Sequence, residues 1–226
     1  MGNATKRARD HISKLFMLLK RASGDTENMW KSSALIGICQ TLFDAIFRIS
    51  LLRRQLPLTD FDQLYAQELK ENVLQWRWDS TEENAPEYRR QDSRPPDAMV
   101  RTGHMYQLAC LLLVEKILAP DLAAHHQVPR NLIVQFCHIF RQLSPELAKH
   151  SVHLWPLLIM GTAAQTRSER ELFLAPLQSH QTTPGFGNRH QGCTFLMRCW
   201  GLSKSSDEAL GLDVLLRDDL LCEIFI

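Results

Sequence analysis

The sequence is short of closely spaced cysteines. A structural zinc site needs Cys or His ligands in close pairs, and a disulfide framework needs an arrangement of paired cysteines. Neither pattern occurs in the 226 residues, so we expect no bound metal and a reducing compartment. The six cysteines are scattered along the chain at Cys39, Cys110, Cys137, Cys193, Cys199 and Cys222.

The sequence also lacks an excess of charge of either sign and a long apolar run. Lysine and arginine total 26 against 25 aspartates and glutamates, which gives a net charge of +1. This balance provides no overall field that would attract the chain to DNA or to an anionic membrane. No window approaches about 18 uninterrupted apolar residues, and the first residues are polar and basic. We therefore expect neither a transmembrane segment nor a secretory signal.

Catalytic and cofactor-binding motifs are absent as well. The glycines from Gly185 to Gly192 lack the spacing of a phosphate-binding loop, and no strand precedes them. His150 and His153 are spaced to share a helix face, but a zinc site needs at least a third ligand. Cys137 and His138 are adjacent and would point to different faces of a helix, which argues against a cysteine–histidine nucleophile. We therefore expect no enzyme activity, no cofactor and no metal.

The sequence does contain the apolar periodicity that is typical of α-helices. No stretch shows the alternation of a convincing strand. The hydrophobic fraction of 45% is sufficient for one core. The pattern predicts an all-α fold, an irregular array of about nine or ten helices joined by short loops. We assign this helical domain to residues 25–226.

Caps and prolines indicate where the helices begin and end. A long helix is expected from Ser32 or Ser33 to about Arg54, Pro129 is expected to open a later helix, and residues 179–192 are expected to form a turn-rich loop. The candidate capping boxes are Thr59-x-x-Asp62, Ser168-x-x-Glu171 and Ser205-x-x-Glu208. The helix after Thr59 is expected to carry its apolar face on Leu64, Tyr65, Leu69, Val73, Leu74 and Trp76.

Two segments are predicted to differ from the helical domain. Residues 1–24 form a basic amphipathic pattern that is consistent with three structures. These are a surface helix on the domain, a nuclear-import or nucleic-acid-binding patch at Lys6, Arg7 and Arg9, and a helix on a membrane surface. Residues 79–97 contain prolines and many charges with almost no apolar residues, which predicts a mobile loop.

The most apolar stretch of the chain runs from Trp155 to Ala164 and predicts a buried helix. Pro156 is expected at the first helical position, where its missing N–H has no consequence. Gly161 is a poor helix former by about 1 kcal/mol, so we expect a neighbouring backbone to pack closely against it. Trp155 and Gly161 are both expected at the centre of the core, and Trp155→Ala is expected to cost roughly 3–5 kcal/mol.

A leucine motif near the C-terminus has two interpretations. Leu212-x-x-Leu215-Leu216 has the spacing of a helix that docks into the groove of a partner. Leucine is common, and the same spacing is typical of the core-facing side of a terminal helix, which is the interpretation that the pattern favours. The candidate partner-docking residues are therefore Leu212, Leu215 and Leu216.

The apolar stretch also carries a resemblance to a known family. Its string Trp-Pro-Leu-x-Ile-x-Gly-x-Ala-Ala, from Trp155 to Ala164, is followed by a charged turn. This string resembles a signature late in the regulatory domain of fungal binuclear zinc-cluster transcription factors. The segment from Phe195 to Trp200 is similar to the Leu-x-x-Val-Trp near the end of that family, and the resemblance covers about Lys31 to the C-terminus. The signature residues, as they are called below, are Trp155, Pro156, Gly161 and Trp200.

The resemblance implies a transcription regulator that acts in the nucleus by protein–protein interaction, with a homodimer or an intact transcription regulator as its partner. The family's zinc cluster needs C-x2-C-x6-C and three further cysteines, and this pattern does not occur here. DNA would then be contacted only indirectly, through the missing zinc-cluster module. We expect either a truncated form or a derivative that has lost its DNA-reading module. The alternative is a helical scaffold or a membrane-peripheral interaction protein.

The same resemblance predicts an exposed apolar surface. The regulatory domain of this family begins before the position that corresponds to Lys31, so helices that cover part of the core would be missing. Apolar faces such as Phe43, Phe47 and Leu51 are then expected to be left in contact with water. A contiguous apolar patch of more than a few hundred Å² usually marks an interface.

Overall fold

The architecture is entirely helical in the part of the chain that the structure describes. The structure is a computed structural model that describes residues 34–77, 97–148, 151–178, 187–202 and 210–217. Within these ranges the α-helices are α1 (Ala34–Arg53), α2 (Asp60–Gln75), α3 (Asp97–Leu118), α4 (Gln127–Arg141), α5 (Pro145–Ala148), α6 (Leu154–Gly161), α7 (Arg167–Leu174) and α8 (Gly187–Cys199). Two 3-10 helices cover Ser151–His153 and Gly211–Leu216.

The prediction of an all-α fold is confirmed. The described residues contain eight α-helices, which is slightly fewer than the nine or ten that were expected. Part of the difference lies near the C-terminus, where the apolar segment Gly211–Leu216 is a 3-10 helix instead of an α-helix.

The chain divides into two compact units. The first comprises residues 1–40 and 79–95, of which the structure describes only residues 34–40 at the start of α1. The second comprises residues 41–78 and 96–226 and contains the other described elements. The contacts given below all lie within the second unit.

Several predictions concern residues outside the described ranges. These include the basic segment of residues 1–24 with Lys6, Arg7 and Arg9, and the capping box that starts at Ser205. The predicted loop of residues 79–97 also lies outside, apart from Asp97, which is the first residue of α3.

α3 is the central helix of the second unit. Every residue from Met105 to Val114 is buried, so this part of the helix has no face open to water. A helix that is apolar nearly all round is expected inside a core. α3 packs against α2, α4, α6 and the C-terminal 3-10 helix, and thereby joins elements that precede and follow it in sequence.

A capping box begins α2, as the sequence predicted. The side-chain oxygen of Thr59 accepts a hydrogen bond from the N–H of Asp62 at 3.2 Å. The carboxylate of Asp62 accepts one from the N–H of Thr59, also at 3.2 Å. Two N–H groups at the helix start, which lack acceptors inside the helix, are thus satisfied.

A second capping box begins α7, but at a position other than the predicted one. Thr166 and Glu169 form the box, so the prediction of Ser168 and Glu171 is wrong. Both pairs have the required spacing, and the positions of the two glutamates decide which pair forms the capping box. Glu169 is buried, whereas Glu171 is exposed and pairs with Arg167 at 2.7 Å.

The starts of three other helices also differ from the sequence prediction. α4 begins at Gln127, and Pro129 is its third residue. Pro156 is likewise the third residue of α6 instead of the first. Both prolines still lie in the first turn, where N–H groups have no acceptor within the helix, so they are tolerated there. α8 begins at Gly187, inside the segment 179–192 that was predicted to be a loop.

Candidate functional site

α6 meets α8 at two glycines, one on each helix. A methyl carbon built on Gly161 would lie 2.8 Å from a δ-carbon of Leu196, and one built on Gly192 would lie 3.0 Å from a δ-carbon of Leu158. Carbon atoms that are not bonded prefer a separation of about 3.5–4.0 Å, so a side chain at either position would require the facing leucine side chain to shift. The predicted close packing at Gly161 is confirmed, although the neighbour is a leucine side chain instead of a backbone.

Trp200 joins the end of α8 to the end of α6. Its indole Nε1 donates a hydrogen bond to the carbonyl of Gly161 at 2.9 Å. The guanidinium of Arg170 lies 5.5 Å from the centroid of the indole, a cation–π distance. Pro156 is buried in the first turn of α6. Two of the signature residues, Gly161 and Trp200, are therefore direct partners although they are 39 positions apart.

Trp155 lies at the edge of the core. Its ring stacks on that of Tyr106, with 5.4 Å between the centroids and 11° between the planes. Tyr106 also contacts Phe43 of α1, at 5.3 Å between centroids. The predicted burial is correct for Gly161 and wrong for Trp155, which is half-buried. A flat ring that stacks on one aromatic neighbour can keep part of its surface in water.

His153 is a buried residue just before α6, with 2% of its surface exposed. Its Nε2 lies 3.0 Å from the hydroxyl oxygen of Thr102, which donates its own proton to the carbonyl of Ala98 at 2.7 Å. With the proton of Thr102 given to Ala98, the tautomer of His153 that carries a hydrogen on Nε2 can donate to Thr102. His150, its proposed companion, lies outside the described residues. Within the described ranges, no three His, Cys, Asp or Glu side chains are grouped to hold a metal ion.

Two buried cysteines are inert thiols. Burial raises the pKa of Cys137 to about 11 and the pKa of Cys199 to about 12. Both therefore remain protonated at neutral pH, and the thiol is a weak nucleophile compared with the thiolate. His138 is exposed and hydrogen-bonds Gln142 at 2.9 Å. The prediction that Cys137 and His138 lie on different sides of their helix is confirmed.

α2 is held to α3 at its C-terminal end. The Nε2 amide of Gln107 donates to the carbonyl of Val73 at 2.8 Å and to that of Trp76 at 3.2 Å. The indole of Trp76 lies over Gly103, where a built methyl carbon would be 2.4 Å from the ring edge. The side chain of His104 meets the same indole edge-on, at 5.6 Å between centroids. Only glycine at this point of α3 leaves room for the tryptophan.

An ion pair joins α4 to the start of α7. Arg130 binds both carboxylate oxygens of Glu169, at 3.1 and 2.5 Å. One of these oxygens also accepts hydrogen bonds from the N–H groups of Gln165 and Thr166, at 2.9 and 3.1 Å. Burial raises the pKa of Glu169, but these hydrogen bonds outweigh burial and lower the pKa to about 2. The carboxylate therefore caps α7 and pairs with α4 at the same time.

A buried lysine joins α3 to the C-terminal 3-10 helix. The side chain of Lys116 is 1% exposed. Its ammonium donates to the carbonyls of Pro120 and Leu122 at 2.5 and 2.9 Å, and to the carboxylate of Asp213 at 2.6 Å. All three donors of the ammonium are thus used, as a buried charge requires.

The candidate docking leucines belong to the same 3-10 helix, which packs against α3 and α8. Leu212 is 3% exposed and Leu215 is 0% exposed, while Leu216 is half-buried. The first two leucines lie in the core of the chain. A partner could bind them only if the 3-10 helix left its present position.

An exposed apolar surface lies on α1 and α2. On α2, the exposed fraction is 77% for Phe61 and 71% for Leu64. On α1, it is 42% for Phe47 and 39% for Leu51. We name these four residues the α1–α2 apolar surface. The predicted exposure of Phe47 and Leu51 is confirmed, and Phe43 is half-buried because it packs against Tyr106.

A hydrogen bond between the two helices locates this surface. Arg48 donates to the hydroxyl of Tyr65 at 2.8 Å. Arg48 lies five residues before Arg53, where α1 ends, and Tyr65 lies five residues after Asp60, where α2 begins. The two helices thus contact each other at this level. Every member of the α1–α2 apolar surface is within about one helical turn of one of the two bonded residues.

The sequence interpretation missed the exposed side of α2. It placed Leu64 on the apolar packing face and did not single out Phe61. The buried face consists instead of Ala66, Leu69 and Val73, which have the spacing i, i+3 and i+7 of a single stripe. Phe61 and Leu64 lie off that stripe, and this offset was the available signal.

No helix among the described residues is long and apolar enough to cross a membrane. Comparisons with curated proteins and with solved structures gave no significant match. Residues 4–220 match the family model described as "Fungal specific transcription factor domain". The match begins well before Lys31, so it also includes most of the basic segment that was predicted to precede the resemblance. Because the match spans nearly the whole sequence, the chain belongs to the family of fungal-specific transcription factor domains.

Proposed function

We propose that this chain acts in the control of transcription, in the nucleus, by binding other proteins. The observation that carries the proposal is the family match over residues 4–220. The exposed α1–α2 apolar surface supports an action through protein association, because monomers rarely expose large apolar side chains close together. The domain has no role as an enzyme in this proposal.

The partner is a second copy of the chain or an intact transcription regulator. Either partner places this domain at a promoter without base contacts of its own, since DNA is contacted through a zinc-cluster module that these residues do not contain. Specific reading of DNA needs side chains positioned at base edges in a groove. Leu212, Leu215 and Leu216 remain a second candidate docking motif, which would require release of the 3-10 helix.

A tethered reporter assay tests the regulatory role. The full chain is fused to an unrelated DNA-binding domain and expressed in a fungal cell with a reporter gene. We expect reporter transcription to rise or fall relative to the DNA-binding domain alone. Phe61→Ser combined with Leu64→Ser should reduce the effect, whereas Val134→Ser, at a 60% exposed position on α4, should not. An expressed fusion that leaves transcription unchanged would contradict the proposal.

A fluorescent fusion tests the location. We expect nuclear fluorescence, and we expect replacement of Lys6, Arg7 and Arg9 by alanine to reduce it if these cations form the import signal. Fluorescence at membranes and its absence from the nucleus would favour the alternative of a membrane-peripheral interaction protein.

A further inference from the structure

We propose that the α1–α2 apolar surface binds the same surface on a second copy of this chain, with α1 of each copy against α2 of the other. The inference rests on the proposed function, because it names one partner and one surface for a domain that acts by association.

The first argument is the exposure of the side chains. Phe61 and Leu64 are the most exposed of the large apolar residues in the described part of the chain, and they lie three positions apart on α2. Moving a side chain of this size from water into an apolar contact favours association. Aromatic and aliphatic residues grouped in this way can form the desolvated centre of an interface.

The second argument is charge complementarity, which favours a second copy over an unrelated partner. The C-terminal half of α1 and the residue that follows it carry Arg48, Arg53 and Arg54 against one acid, Asp44. α2 has the opposite balance, because it carries one lysine, Lys70, against several acids. These acids are Asp60, Asp62, Glu68 and Glu71.

In a symmetric dimer, these opposite charges determine which helices face each other. In a two-fold interface every contact occurs twice, so one surface must be complementary to itself. Placing the basic end of α1 against the acidic α2 of the partner satisfies this condition. It also brings Phe47 and Leu51 of one copy towards Phe61 and Leu64 of the other. A partner of one charge sign would meet repulsion from either α1 or α2.

The size of the surface is consistent with this arrangement. A stable interface buries about 800 Å² on each partner, with an apolar centre and a polar rim. Four exposed apolar side chains supply on the order of a few hundred Å². The charged side chains beside them, including Arg48, Arg54 and Glu68, would form the rim.

The mass of the full chain in solution, measured by light scattering or sedimentation over a concentration series, tests the inference. We expect the mass to rise from 26.0 kDa towards twice that value as the concentration increases. In Phe61→Ser combined with Leu64→Ser, the loss of roughly 2 kcal/mol or more weakens association at least about 30-fold. Val134→Ser removes a comparably exposed apolar side chain from α4 and should leave the dissociation constant unchanged.

A charge exchange tests the pairing of α1 with α2. Glu68→Lys and Arg54→Glu should each weaken self-association, and an equal mixture of the two variants should associate more strongly than either variant alone. Leu64→Gln provides a milder second variant if the double serine variant does not fold, as judged by far-UV circular dichroism.

Three results would overturn the inference. The first is a wild-type chain that remains a monomer at high concentration, and the second is a double serine variant that is folded and associates normally. The third is a mixture of Glu68→Lys and Arg54→Glu that associates no more strongly than either variant alone. A monomer that still changes reporter transcription would remove this interface and leave the proposed function. A dimer without any effect on the reporter would support this interface and contradict the proposed function.

Discussion

Gly103→Ala should destabilise the chain, although alanine is the better helix former. An isolated glycine in a helix costs about 1 kcal/mol relative to alanine, so the substitution alone favours the folded state. In this protein the new methyl carbon would lie 2.4 Å from Cη2 of Trp76 and 3.2–3.3 Å from two further ring atoms. A normal contact is about 3.5–4.0 Å, so the indole has to move by about 1 Å.

The indole cannot move independently of its surroundings. Trp76 is 8% exposed, its ring meets His104, and its carbonyl accepts a hydrogen bond from Gln107. Overpacking of this kind typically costs about 1–3 kcal/mol. After the gain in helix propensity is subtracted, we expect Gly103→Ala to lower the free energy of unfolding by up to about 2 kcal/mol.

The sign of the effect should depend on Trp76, and urea unfolding followed by far-UV circular dichroism measures it. In a Trp76→Leu background the smaller side chain leaves room for the methyl group, so Gly103→Ala should become neutral or stabilising by up to about 1 kcal/mol. A double-mutant cycle then gives the coupling between the two positions. Stabilisation of the wild-type chain by Gly103→Ala, or the same change in both backgrounds, would refute the proposed contact.

Three further predictions concern acid stability, the signature helix and metal content. Because the pKa of Glu169 falls from 4.5 to about 2 on folding, its stabilisation is present above about pH 4.5 and is lost as the pH falls towards 2. In Glu169→Gln, the free energy of unfolding should therefore fall less than in the wild type as the pH is lowered from above 4.5 towards 2. We expect the difference to be on the order of 3 kcal/mol or less. Trp155→Ala should lower the free energy of unfolding, measured in urea, by roughly 1–3 kcal/mol. Phe136→Ala, at a fully buried site, should lower it by roughly 3–5 kcal/mol. Equal losses in the two variants would contradict the half-buried position of Trp155. Metal analysis of protein purified without added zinc should find less than one zinc per chain, and one or more would contradict it.

Helix class and several boundaries could be predicted because they depend on neighbouring residues. The sequence predicted a long helix from Ser32 or Ser33 to about Arg54, and α1 runs from Ala34 to Arg53. The serines at the predicted start and the apolar pattern after them supply the necessary information locally. The same holds for the capping box at Thr59, whose partner is only three positions away.

The contacts that hold the helices together could not be predicted in this way. Arg130 and Glu169 are 39 positions apart, and Lys116 and Asp213 are 97 positions apart. No local pattern identifies such partners. The mistaken capping box at α7 has the same origin, since two local pairs fitted the motif and the buried position of Glu169 decided between them.

The exposure of Phe61 and Leu64 follows from the composition of α2 itself. The apolar residues of this helix occupy more than one stripe, whereas its main packing partner is α3. A helix that packs on one neighbour buries one stripe, which here is Ala66, Leu69 and Val73. The second stripe, which includes Phe61 and Leu64, is the part of α2 that stays exposed. Because the two stripes are separate, polar substitutions at Phe61 and Leu64 should leave monomer stability within about 0.5 kcal/mol while they weaken association.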